Sequence, residues 1–183
     1  MSDFFLTTVL TFDASVRICV PLIFASMAGL FAERAGVVDI GLEGKLLMSA
    51  FIAASAASVF GSPWLGLIAG MLASSVLAMI HGFASITYKG NQIVSGVAIN
   101  ILASGLTMIL TLAWFKRGGI TPTLQNDERF LSITLPGVDI IDHIPIIGVI
   151  YRELISGHNI LVYLAFVIVP IVWWVVYRTF TKM

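Results

Sequence analysis

Residues able to do chemistry crowd into one stretch. From Glu33 to Lys45 the chain reads ERAGVVDIGLEGK, which places Glu33, Arg34, Asp39, Glu43 and Lys45 among glycines at 36, 41 and 44. Carboxylates beside cations can guide a polar solute, or serve as general acid and base. The second role lacks companions: no Ser/His, Asp/Asp or His/Glu pair shares a helical face, and no GxxxxGK[ST] phosphate loop occurs. No catalytic residue is assigned. His81 stands alone in its apolar run, with no second His, Cys or carboxylate at ligand spacing, so neither a metal site nor a cofactor is called for.

The three glycines recur too often for a regular helix, since each costs about 0.8–1 kcal/mol in a helix interior. Asp39 and Glu43 would also stack as like charges four residues apart. The stretch 33–45 therefore reads as a broken, glycine-hinged segment carrying hinge glycines Gly36, Gly41 and Gly44. A second polar break follows at Lys89-Gly90-Asn91-Gln92, with Ser95 and Asn100 shortly beyond it. Amides at membrane depth must find partners or water. Where two such breaks meet, a solute pathway is expected. Its candidate residues are Glu33, Asp39, Glu43, Asn91, Gln92, Ser95 and Asn100, weighed against plain interhelical hydrogen bonding.

The elements that must position these residues follow from composition. Hydrophobic residues make up 58% of the 183 and charged residues only 11%, against about 25% charged in a soluble domain. The chain reads as an all-α integral membrane protein with about five transmembrane helices, since each crossing takes about 20 mostly apolar residues. Zero formal net charge gives no reason to expect nucleic acid as a partner. Residues 1–115 hold about four spans: a first run over 14–32 after a polar-apolar lead, a short second run over 46–60, a third over 64–88 and a fourth over 93–115. Repeated small residues, Ala53-Ala57-Gly61 and Gly66-to-Gly70, let backbones approach closely, so the second helix is expected inside the bundle. Residues 116–157 form an extracytoplasmic loop, within which 138–150 is a candidate interfacial segment. Residues 158–183 supply the fifth helix and a short cytoplasmic end. Cys19, the single cysteine, is expected to be a small buried hydrophobe. Basic residues divide five against five between the two sides, and only the short loops favour 33–45 and 89–92 as cytoplasmic.

Two stretches, Ala32 to Gly44 and Gly90 to Asn100, look like the signature segments of one family, and the run ending Trp173-Trp174-Val175-Val176-Tyr177-Arg178 is similar to that family's as well. The chain resembles the permease subunit of bacterial ATP-binding cassette importers for nucleosides, within the larger group of simple-sugar, ribose and branched-chain amino-acid permeases. The resemblance implies a multi-pass subunit of the bacterial cytoplasmic (inner) membrane in contact with lipid. It also implies a second permease subunit, a separate ATPase pair and an extracytoplasmic substrate-binding protein as partners. The chain itself would be no enzyme. Two departures stand out. Asp39 occupies a position where the family usually has Asn, so Asp39→Asn is expected to be harmless or beneficial. The family also continues past the fifth run with a basic coupling segment and further helices, so the chain reads as a partial, C-terminally truncated permease bundle. The function expected is transmembrane passage of a nucleoside or similar small polar solute. The alternative is a truncated or split fragment that only packs against a partner.

Overall fold

The computed structural model describes residues 3–135 and 147–179, all of them on or between helices. Among these residues, five helices are long and apolar enough to cross a membrane. They are α1 (Asp3–Arg34), α2 (Leu42–Phe60), α3 (Pro63–Gly82), α4 (Gln92–Phe115) and α6 (Ile160–Thr179), with the short α5 (Ile147–Ile150) between the last two. Single π-helical turns extend α3 over Phe83–Thr87 and α5 over Tyr151–Ile155.

The first helix starts well before Ala14. Thr8, Thr11 and Ser15 each donate a hydroxyl hydrogen bond to the carbonyl four residues back, at 2.8, 2.7 and 2.7 Å. Asp13 pairs with Arg17 across one turn. The polar groups of the lead segment are thus satisfied within the helix itself, which is why it can continue as one. Cys19 is exposed rather than buried. It lines an apolar groove with Val16, Val20 and Ala165, because the helix turns that face outward.

Contacts divide the chain into two units. One comprises the described residues of Met1–Phe24 and Phe130–Met183, the other Ala25–Arg129. In the first, Val20, Val162 and Ala165 form a small core. His158, fully buried, bonds through Nε2 to the Leu154 carbonyl at 3.0 Å and brings Nδ1 to 3.5 Å from Asp13. Asn159 caps α6 by accepting from the Val162 N–H. The proposed interfacial segment at 138–150 lies mostly outside the described residues.

In the second unit α2 is central. It packs on both α3 and α4 around Met48, Phe51, Leu77, Ile99 and Ala103. The approach to α3 is as close as backbones allow: a Cβ on Gly66 would meet the Ala53 carbonyl oxygen at 2.7 Å, and one on Gly70 the Ser49 oxygen at 2.9 Å. The expected small-residue packing is present, along the face formed by Ser49, Ala53 and Ala57. Gly61, in the left-handed region at φ 61°, ends α2 and lets α3 start two residues later.

Candidate functional site

The expected break is real, and it spans residues 35–41, between the end of α1 and the start of α2. Gly36 ends α1: at φ +80° it lets the Val37 N–H reach back to the Ala32 carbonyl at 2.9 Å. The second break follows the π-helical turn, where Lys89 takes φ 51° and the Gly90 N–H bonds to the Ala84 carbonyl. Asn91 then caps α4, its Oδ1 accepting from Ile93 and Val94 at 3.0 and 3.2 Å.

The two breaks are clasped together by amides. Gln92 Oε1 accepts from the Val38 N–H at 2.6 Å, and Gln92 Nε2 donates to the Gly36 carbonyl at 3.4 Å. About two turns further along α4, Asn100 Oδ1 accepts from the Gly44 N–H at 2.8 Å while its Nδ2 donates to the Ile40 carbonyl at 3.1 Å. Backbone groups freed by the broken helix are thereby satisfied by side chains of α4, as they must be wherever water is scarce. Glycines make the approach possible. A Cβ on Gly96 would fall 2.9 Å from the Gly41 nitrogen, and one on Gly44 would fall 2.8 Å from Asn100 Cα.

Beneath the clasp lies a buried charged cluster. Asp39 accepts from the Gly41 N–H at 3.1 Å through Oδ1 and forms an ion pair with Lys45 through Oδ2. Both side chains are largely buried, Lys45 at 6% and Asp39 at 11% exposure. His81, at the end of α3, places Nδ1 3.1 Å from Ser95 Oγ and Nε2 3.9 Å from Asp39 Oδ1. The tautomer with its proton on Nε2 suits both neighbours, accepting from Ser95 and turning its positive edge to the carboxylate. Ser, His and Asp meet here, but not as hydrolytic machinery. The His–Asp separation exceeds a hydrogen bond, Lys45 holds the carboxylate, and the imidazole is 2% exposed.

Each expected site residue can now be placed. Gln92, Asn100 and the three hinge glycines belong to the broken segment or its clasp, Asn91 to the α4 cap, and Asp39 and Ser95 to the buried cluster. Glu33 is exposed at the end of α1. Glu43, in the first turn of α2, is exposed and pairs with no cation among the described residues. Together with Leu47, Asn100, Ile101 and Ser104 it lines a groove of about 530 Å³ between α2 and α4. His81 and the buried placement of Lys45 were not legible as parts of one site, because Lys45, His81 and Asp39 come from different elements.

Such an arrangement, apolar crossings interrupted by clasped polar breaks, defines a multi-pass helical membrane protein. The family model for the branched-chain amino acid transport system / permease component matches residues 12–181, and the chain belongs to that permease family. It is 35% identical over 172 residues to the guanosine ABC transporter permease protein NupQ of Bacillus subtilis, covering 91% of this chain and 51% of that relative. To the nucleoside ABC transporter permease protein NupC of Lactococcus lactis it is 32% identical over 165 residues, covering 87% of this chain and 49% of the relative. The chain thus spans about half the length of these curated relatives. No solved structure matches it.

Proposed function

We propose that the chain forms part of the membrane pore of an ATP-binding cassette importer that carries a nucleoside or similar small polar solute across the bacterial cytoplasmic membrane. ATP hydrolysis takes place on a separate ATPase subunit. An extracytoplasmic binding protein delivers the solute, and a second permease subunit completes the pore. In this reading the breaks at 33–45 and 89–92 face the cytoplasm, and 116–157 lies on the outer side.

The observation that carries the reading is the groove between α2 and α4. Its polar residues come from the first turn of α2 and from α4, and its carboxylate and hydroxyl residues, Glu43 and Ser104, remain exposed while the Asn100 amide beside them is engaged in the clasp. A rigid clasp beside an open polar groove is what a solute path requires, with positioning supplied by the former and hydrogen bonding by the latter.

The test is uptake of radiolabelled guanosine by cells or proteoliposomes holding the complete importer. Glu43→Gln and Ser104→Leu are expected to lower uptake several-fold at normal membrane levels. Wild-type uptake by both variants would return the groove to an ordinary lipid- or protein-facing surface.

A further inference from the structure

We propose that Glu43 is an anion filter, so that the α2/α4 groove accepts an uncharged nucleoside and rejects its phosphorylated form. The inference rests on the transport reading above and names the class of solute that this groove selects.

The groove's size, about 530 Å³, lies within the range of about 300–1,000 Å³ typical of small-molecule sites. Its lining is amphipathic. Leu47 and Ile101 offer apolar surface to the face of a base, while Asn100 retains one amide hydrogen and one lone pair beyond those used in the clasp. Ser104 adds a hydroxyl that can donate or accept. Glu43 contributes acceptors only, suited to ribose hydroxyls or to base N–H groups.

Among the described residues, no Lys, Arg or His lines this groove. The nearest cation in sequence, Lys45, is 5% exposed and held by Asp39. The carboxylate of Glu43 therefore faces the groove without a counter-charge.

A helix N-terminus ordinarily attracts phosphate through its free N–H groups. At α2 that route is partly taken up. The Gly44 N–H is occupied by Asn100 Oδ1, and the Lys45 N–H by the Gly41 carbonyl. A phosphate, carrying close to two negative charges above its second pKa of about 6, would meet a carboxylate and only the neutral donors of Asn100 and Ser104. Such repulsion is specificity by penalty rather than by attraction.

The experiment is saturation-transfer NMR on the full 183-residue chain in nanodiscs at pH 7.5, with guanosine and guanosine 5′-monophosphate as probes and without binding protein, which would impose its own selectivity. The expected result is saturable guanosine binding with the monophosphate at least about tenfold weaker, the scale of one close charge repulsion in a partly hydrated site. Glu43→Gln should shrink that gap to about twofold or less, and Glu43→Asp should preserve it. A gap that survives Glu43→Gln, or wild-type binding of both probes alike, overturns the filter and leaves the transport reading standing. Absence of guanosine binding where the importer does transport guanosine overturns the filter too, whereas absence of both binding and uptake overturns the transport reading along with it.

Discussion

Asn100 holds Gly44 against α4, accepting its backbone N–H at 2.8 Å, in a contact so close that a single methyl on Gly44 would lie 2.8 Å from Asn100 Cα. The same amide reaches the Ile40 carbonyl on the other side of the break. One side chain thus bonds both the extended segment and the first turn of the helix that follows it.

Removing that amide should loosen the clasp. Asn100→Ala is expected to cost about 1–3 kcal/mol, because it leaves two backbone groups without partners. Unfolding of the chain in bicelles, followed by steric trapping, measures it. Asn100→Asp should recover part of the loss, since it keeps the acceptor for Gly44 and gives up the donor to Ile40.

Steric demand separates the glycines. Gly44→Ala must push two backbones apart and should cost about 1–3 kcal/mol. Gly105→Ala, on the same groove with nothing within 4 Å of the added carbon, should be close to neutral. Comparable melting temperatures for the two variants would refute the close approach of α2 to α4.

Asp39→Asn tests the buried pair, whose geometry argues against the harmless outcome expected from the resemblance. Neutralising Asp39 strands the Lys45 ammonium in a largely buried site, a change of the kind that costs about 3–5 kcal/mol. Membrane expression and thermal stability should both fall. The double variant Asp39→Asn/Lys45→Met should restore most of the loss, and a harmless single substitution would show that Lys45 reaches water.

Cys19 offers a chemical probe. It is exposed on α1 among apolar groove residues, so in bilayers the isolated chain should react with a membrane-permeant, apolar maleimide far faster than with a charged one. Equal rates would place this part of α1 in water.

The crossings and the breaks were legible because each has a local signature: apolar runs of spanning length, small residues at four-residue spacing, and glycines too dense for a helix. Where α1 begins was less so, since Thr8, Thr11, Asp13 and Ser15 look polar in sequence yet close their hydrogen bonds or ion pair within the helix. The meeting of the two breaks was anticipated, with interhelical hydrogen bonding as the alternative to a pathway, but the partners were not. Gln92 to Val38, Asn100 to Gly44 and Asn100 to Ile40 join residues 54, 56 and 60 positions apart, and no periodicity within one element encodes such pairs. His81 looked solitary for the same reason. Its neighbours Asp39 and Ser95 come from other elements, so ligand or partner spacing along its own helix could not reveal them.

Gly61 and Ser62 alone separate α2 from α3, and Gly66 and Gly70 press α3 onto α2 within a carbon's width. During biosynthesis the two therefore have no slack to enter the bilayer one after the other as independent segments. They are expected to go in as a single hairpin, with the apolar surface of α3 helping to carry the polar start of α2. Lys45 would then enter joined to the helix whose His81 lies in the same buried cluster.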